Sequence, residues 1–198
     1  MNDLLLYLML FMLMSASNVV YASVTEWCLH RYVMHQPVGW FTYPYKAHAL
    51  THHGLFSGLN YHMLGTRNKN KVRMAWWNGP IIITLGIIPF FIVMMIFYLY
   101  GWESGAWMIL GSGIFISIGY FAAYEYFHWC MHVPKGRWFE KTWLFRWFNG
   151  RHILHHRFPG MNFNVVLPIA DYLFGTLLLR SPVRFAQVSG PSVPDMQP

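Results

Sequence analysis

Three long apolar stretches dominate the hydrophobic pattern of the chain. Residues 4–24 contain no charged side chain, residues 81–100 form a second run, and residues 107–127 form a third with Glu125 as its one charge. An apolar bilayer core of about 30 Å needs about 20 such residues in a helix. The pattern therefore predicts three membrane-spanning helices, the last two joined by a tight turn at 101–105. A cleaved secretory signal at 4–24 is disfavoured, because the chain start carries Asp3 and no Lys or Arg.

Polar segments follow the predicted spans. Residues 36–75 and 133–180 are expected to form a helical cap, and the proline-rich segment 181–198 is expected to be loosely ordered. The apolar run at 162–179 is interrupted by Pro168, Asp171 and Gly175, which favours a cap on the membrane face over a fourth span. Residues 1–198 are thus interpreted as one all-α integral membrane domain.

Composition and charge support a membrane location. Of the 198 residues, 56% are hydrophobic and 11% are charged, whereas soluble domains carry roughly 25% charged residues. So apolar a chain is neither a soluble globule nor disordered. The formal charge of +7 comes from basic residues in short segments between apolar runs, which argues against a nucleic-acid partner. No Lys or Arg lies between Arg73 and Lys135, so the positive-inside rule places the cap in the cytoplasm.

Histidine is the unusual residue, because ten of the 11 histidines fall into four clusters. The clusters are His30 with His35, His48 with His52 and His53, His128 with His132, and His152 with His155 and His156. Residues four apart share a helical face. The spacing therefore predicts that His48/His52, His128/His132 and His152/His156 can each chelate one ion, with His155 on the face of His152.

The two His-His doublets indicate two metal ions. Neighbours in a helix point in different directions, so His52 and His53, like His155 and His156, suit adjacent ions better than one ion. Neutral imidazole binds Zn, Fe, Cu and Ni. His30 and His35 do not share an α-helical face, but Pro37 must end the helix nearby, and unwinding there could redirect His35.

Other polar residues near the clusters have two interpretations each. Glu26 and Glu125 could either orient a ligating imidazole or solvate a helix end. The same two interpretations apply to Asp171. His62 has no partner at ligand spacing and is interpreted as a supporting or surface residue. Cys28 and Cys130 are expected to be packing residues.

The residue pattern narrows the chemistry. The chain has no His-Glu-x-x-His string, which disfavours a zinc peptidase. The predicted spans have no ionisable residue at mid-membrane, which disfavours a transporter. A redox or hydrolytic metal pair at the lipid boundary suggests a lipid substrate. The aromatic candidates for lining its slot, with helix packing as the alternative, are Tyr120, Phe121, Tyr124 and Phe127. The basic candidates near an anionic head group, with an interfacial charge belt as the alternative, are Arg31, Lys46, Arg151 and Arg157.

The segments 26–35, 46–53, 124–132 and 150–176 resemble the fatty acid hydroxylase/sterol desaturase superfamily. The motif order looks closest to the fatty acid 2-hydroxylases, and residues 30–35 are also similar to the carotenoid hydroxylases. The resemblance implies a non-haem diiron centre that activates O2 and hydroxylates a C–H bond. It implies Asn164 and Asp171 as supporting residues and, as metal ligands, His30, His35, His48, His52, His53, His128, His132, His152, His155 and His156.

The resemblance also implies cofactors and partners. We expect two iron ions, with zinc as an alternative in purified protein, O2 as co-substrate, and a membrane lipid, most simply a fatty acyl chain, as substrate. Some relatives carry a fused cytochrome b5-type domain, for which this chain has no room. Electrons are thus expected from a separate cytochrome b5-, ferredoxin- or reductase-type donor. The alternatives are a desaturase, a sterol or carotenoid hydroxylase, and a metal-storing or metal-sensing membrane protein.

Overall fold

The computed structural model describes residues 3–62 and 71–180. These residues form no β-strand, only an isolated bridge between Val38 and Phe41. Two π-helical segments extend α1 and join α2 to α3, at Leu29–Met34 and Lys46–His52. The α-helices in chain order are α1 (Asp3–Cys28), α2 (Tyr43–Tyr45), α3 (His53–Leu55), α4 (Asn78–Leu99), α5 (Glu103–His132), α6 (Trp143–Arg157) and α7 (Ile169–Leu173).

Among the described residues, three helical stretches are long and apolar enough to cross a membrane: Leu4–Met34, Asn78–Leu99 and Glu103–His132. This result confirms the predicted all-helical fold with three helices that are long and apolar enough to span a membrane. The first stretch continues past residue 24, and the third begins before residue 107 and continues past residue 127. Two of these stretches therefore carry His30, His128 and His132 directly, at the ends that lie beyond the predicted apolar segments.

The two later spans form a closely packed hairpin. Gly101 adopts φ of 82° at the turn, a conformation that favours glycine. Along the interface, a Cβ added to Gly86 would lie 2.6 Å from Ser117 Oγ, and one added to Gly113 would lie 2.7 Å from Phe90 Cβ. These glycines therefore let α4 and α5 approach closely, as small residues do in membrane helix pairs.

The buried side-chain amide of Asn18 connects α1 to this hairpin by hydrogen bonds. The Asn18 side chain is fully buried and donates to the carbonyl oxygens of Ser112 at 3.4 Å and Gly113 at 3.0 Å. The hydroxyl of Tyr21 donates to the carbonyl of Leu85 in α4 at 3.2 Å. Interhelical hydrogen bonds of this kind help membrane helices associate, because lipid gives no hydrophobic drive between them.

The remaining helices gather where α1 ends, α4 begins and α5 ends. An aromatic and aliphatic core fixes α6 against α5 and the 165–166 segment, and it contains Tyr61, Tyr124, Cys130, Met131, Phe145, Phe148, Val165 and Val166. Cys130 is fully buried there, and Cys28 packs beside Trp27. Both cysteines are unpaired packing residues, as predicted. The predicted loosely ordered segment, 181–198, lies outside the described residues.

Candidate metal centre

The ten clustered histidines form two groups of five. Within each group the five ligand atoms lie within 4.8 Å of one another, and every atom comes from a histidine. The first group contains His30, His35, His48, His53 and His155, and the second contains His52, His128, His132, His152 and His156. His62 belongs to neither group. It is exposed, and its Nδ1 lies 3.1 Å from the carbonyl of Met131.

Two π turns bring together the histidines that are five residues apart. The amide of His35 donates to the carbonyl of His30 at 3.1 Å, and the amide of His53 donates to the carbonyl of His48. An i→i+5 bond places these residues one above the other, which an α-helix does not. His30/His35 and His48/His53 thus each face one group. The redirection of His35 comes from a wider helical turn, not from unwinding.

The expected pairing of His48 with His52 is wrong for the same reason. The π turn aligns His48 with His53, so the rings of His48 and His52 stack at 5.1 Å and face different groups. His152 and His155 also stack, at 5.7 Å, across the two groups. His152 and His155 therefore contact each other across the boundary between the two groups and do not form a chelating pair.

The α-helical pairs at spacing four behave as predicted by their geometry. His128 with His132, and His152 with His156, each lie in the second group. The two groups are contiguous, since the rings of His53 and His156 stack across the boundary with centroids 4.2 Å apart. The chain therefore presents two neighbouring sets of five nitrogen donors.

The spacing of the nitrogens fits metal coordination. Within the groups, neighbouring Nε2 atoms lie 2.8–3.1 Å apart. With metal–nitrogen bonds of about 2.0–2.1 Å, ligands at a right angle lie about 2.9 Å apart, and tetrahedral ligands about 3.4 Å apart. These spacings match ligands at right angles, as in octahedral coordination, better than tetrahedral ligands.

Hydrogen bonding among the rings does not account for these contacts. Because a carbonyl only accepts, the Nδ1 atoms of His30 and His155 that face carbonyls are assigned the ring proton, which leaves Nε2 with its lone pair. His155 Nε2 approaches both His35 and His53, and His48 Nε2 approaches both His30 and His53. One ring nitrogen cannot satisfy two such neighbours, whereas a shared cation satisfies every lone pair.

Backbone carbonyls orient several of the rings. His132 Nδ1 lies 2.8 Å from the carbonyl of Tyr61, and His155 Nδ1 lies 2.8 Å from that of Met161. His30 Nδ1 makes the same contact with Phe163. Such contacts fix the tautomer and aim Nε2 into the group. No sequence pattern indicates which carbonyls do this, because every residue has one.

Burial keeps the cap histidines neutral. It lowers the pKa of His35 to about 4 and that of His155 to about 3, and it holds the pKa of His152 well below its ordinary value. The positive charge of a neighbouring imidazole lowers the pKa further where rings crowd, as His35 does for His155. Neutral imidazole is the form that binds a metal ion.

The predicted supporting residues Glu26, Asn164 and Asp171 form one hydrogen-bond network behind the histidines. Asp171 accepts from the amides of Phe163 at 2.9 Å and Asn164 at 2.8 Å, and burial raises its pKa. Glu26 accepts from the Asn164 side chain at 3.1 Å and from the amide of Val165 at 2.6 Å. The network therefore holds the Phe163 carbonyl against His30, and Glu26 contacts the loop and not the imidazole.

Glu125 and Arg151 do not occupy the functional positions predicted for them. Glu125 borders a cleft of about 390 Å³ with Arg73 and Trp76, and no histidine lines that cleft. Arg151 is buried and donates to the carbonyls of Asn164 and Val166 at 3.2 Å, and burial lowers its pKa to about 10. Arg151 is thus part of the loop support and not a surface contact for a head group.

Of the other basic candidates, Arg31 and Arg157 lie over aromatic rings, whereas Lys46 lines a cavity. The guanidinium of Arg31 lies 4.9 Å from the ring centroid of Trp27, and that of Arg157 lies 5.6 Å from the ring centroid of Phe158. Lys46 lines a vestibule of about 660 Å³ that reaches His48, His52 and His128. Sequence reasoning missed Lys71 and Arg73, which line the same vestibule.

A narrow apolar slot leads to the first group from between the spans. Its volume is about 60 Å³, and it is lined by Tyr120, Phe121 and Tyr124 together with His30 and other residues of α1, α4 and α5. The slot and the vestibule share Met34, Met74 and Tyr124. Phe127 was a wrong candidate for this lining, because it does not border the slot and packs against Phe139, Phe145 and Phe148.

Comparison with known proteins gave no match, whether to a protein-family model, to a curated protein or to a solved structure.

Proposed function

We propose that this protein is a membrane-bound, non-haem dimetal monooxygenase, with iron in the active form, that uses O2 to hydroxylate a lipid. The observation that carries the proposal is the pair of adjacent five-histidine groups, with an apolar slot ending at one of them. The motif order, which resembles the fatty acid hydroxylase/sterol desaturase superfamily, supports the same chemistry.

The two histidine groups would hold one iron ion each. When bound, two iron ions supply the reduction of O2 by two external electrons and two protons, so that one oxygen atom enters a C–H bond and the other leaves as water. All-nitrogen coordination by neutral imidazole suits divalent iron and equally zinc or copper. Ligand type therefore does not select iron by itself, and zinc is a competing occupant.

The chain's own residues would bind and orient the substrate. The slot is narrow and almost entirely apolar, with Ile82 and Phe121 among its lining residues, so its lining suits the apolar part of a lipid. The vestibule presents the side chains of Lys46, Lys71 and Arg73, and no Asp or Glu of the described residues lines it. This charge pattern suits a lipid whose polar end is anionic.

The distribution of charge supports a cytoplasmic site. All 14 Lys and Arg residues of the sequence lie outside residues 1–30 and 74–134, and Lys46, Lys71 and Arg73 line the vestibule on the side of the candidate spans where the histidines lie. The positive-inside rule places that side in the cytoplasm. We accordingly assign the electrons to a separate cytoplasmic donor of the cytochrome b5-, ferredoxin- or reductase-type.

Analysis of the lipid products formed by the iron-loaded protein tests the proposal. Purified protein given iron, a reductant, O2 and membrane lipid is expected to yield a product that has gained one oxygen atom. Loss of two hydrogens would instead identify a desaturase. Metal binding without oxygen consumption for any lipid would identify a metal-storing or metal-sensing protein. His52→Ala and His155→Ala are expected to abolish the product, whereas His62→Ala retains it because His62 lies outside both groups.

A further inference from the structure

Tyr124 lies at the border between the apolar slot and the basic vestibule. It lines both cavities, and its ring stacks on that of His128 one helical turn later, with centroids 5.7 Å apart and an interplanar angle of 27°. Its side chain is 7% exposed. Tyr124 is therefore, with Met34 and Met74, one of the residues that border both the slot and the vestibule.

The hydroxyl of Tyr124 is buried without a hydrogen-bond partner among the described residues. Buried polar groups in folded proteins are almost always hydrogen-bonded, so such an exception indicates a missing ligand or water. A tyrosine hydroxyl lies too far from its own backbone to bond there, unlike the hydroxyl of Ser or Thr in a helix. The two cavities that Tyr124 lines are the places from which a bound molecule can supply this partner.

Two neighbouring hydroxyls differ from that of Tyr124. Tyr120 lies one turn earlier on α5, and its hydroxyl donates to Glu26 at 2.7 Å. Ser117 also lines the slot with an unpartnered hydroxyl, but a serine can rotate to bond a carbonyl of its own helix. Tyr124 is thus the slot hydroxyl for which a ligand is the natural partner.

We infer that the Tyr124 hydroxyl positions the substrate by donating a hydrogen bond to an acceptor oxygen at its polar end, a carboxylate or an amide or ester carbonyl. This inference rests on the proposed function and narrows its substrate class to oxygen-bearing acyl lipids. Plain hydrocarbons have no group to accept this bond. The acyl tail then extends from Tyr124 along the slot toward Gly86 and Ser117.

This orientation determines which carbons lie near the histidines. Tyr124 contacts His128, and His30 lines the slot beside it. A polar end held at Tyr124 places the first carbons of the acyl chain next to both histidine groups, whereas the far end lies between α4 and α5. The oxidised carbon is accordingly one of those close to the acceptor oxygen.

Binding of labelled probes to the zinc-loaded protein tests the inference without turnover. The probes are palmitate, N-methylpalmitamide and hexadecane, which carry a carboxylate, a neutral carbonyl and no acceptor on chains of similar length. Wild-type protein is expected to bind at least one oxygenated probe more tightly than hexadecane. Tyr124→Phe should weaken that binding about tenfold and leave hexadecane binding unchanged. Tyr172→Phe, at an exposed tyrosine, serves as the control.

A third variant separates the two sources of the acceptor oxygen. Lys71→Met should weaken palmitate binding and spare the amide if a carboxylate is the native group, whereas Lys141→Met, which removes an exposed charge outside the cavities, should change neither. Equal binding of hexadecane and both oxygenated probes, or unchanged binding in Tyr124→Phe with two zinc ions retained, would overturn the inference. Because this readout is binding, its result is independent of whether iron-loaded protein oxidises a lipid.

Discussion

His52 and His53 are neighbours in the chain, yet their imidazoles face different histidine groups. His52 Nε2 lies 3.1 Å from His128 Nε2, whereas His53 Nε2 lies 3.1 Å from His155 Nε2. Consecutive helical residues point about 100° apart, so one peptide bond links the two groups. The His155-His156 doublet does the same from α6. Displacement of either backbone segment therefore changes both groups together.

Single substitutions in the doublet should each affect one ion. His52→Ala removes a donor from the second group and His53→Ala one from the first, so we expect each variant to retain one ion where the wild type holds two. Metal analysis after dialysis against a chelator measures this. His62→Ala is the control and should keep both ions. Equal metal loss in all three variants would contradict the division into two groups.

The two ions should differ in how fast they exchange. His35 and His53 of the first group are only partly buried, whereas all five histidines of the second group are buried. Water and chelators reach the first group more easily, so we predict two phases of metal release, the faster one from the first group. His53→Ala should remove the fast phase. Release of both ions in one phase from the wild type would show that the burial difference has no effect.

Asp171 should act on the metal site through the loop that it holds. Asp171→Asn places a donor against the amides of Phe163 and Asn164, so the free energy of unfolding should fall by about 2 kcal/mol. Displacement of the Phe163 carbonyl should weaken metal binding at His30 about 10-fold or more. Denaturant unfolding and metal titration measure the two effects. Glu103→Gln, at an exposed carboxylate, should change neither quantity.

Asn18 should stabilise the packing of the first span on the third. Asn18→Ala removes both bonds to the α5 carbonyls, and we expect a loss of about 1 kcal/mol in the free energy of unfolding. Unfolding in mixed micelles with increasing SDS measures it. Ser17→Ala is the matched control, because the Ser17 hydroxyl bonds only the carbonyl of Leu13 within its own helix. A smaller loss for Asn18→Ala than for Ser17→Ala would contradict the role of the amide.

The spans could be predicted from the sequence because length and apolarity alone determine them. The helical ends were less predictable, since α1 and α5 continue through polar residues that the cap buries. Cys130 was correctly assigned to packing because it is offset by two residues from both His128 and His132. The cytoplasmic orientation, the iron and the lipid substrate remain predictions.

The division of the histidines could not be predicted from α-helical spacing. A π turn leaves no mark in the hydrophobic period, so the alignment of His48 with His53 was hidden behind the expected alignment with His52. Phe127 was assigned to the slot because it precedes His128 in the sequence. The sequence does not indicate whether an aromatic residue at this position faces the slot or the core. The burial of Arg151 depends on loop carbonyls at Asn164 and Val166, which no side-chain pattern encodes.

X-ray absorption of the iron-loaded protein, combined with its metal content, tests the central claim most directly. The account predicts two ions per chain, each with about five imidazole nitrogens at about 2.1 Å and neither sulfur nor four-coordinate tetrahedral geometry. One ion per chain, or a tetrahedral site with fewer imidazoles, would contradict the assignment of the two five-histidine groups as a dimetal centre.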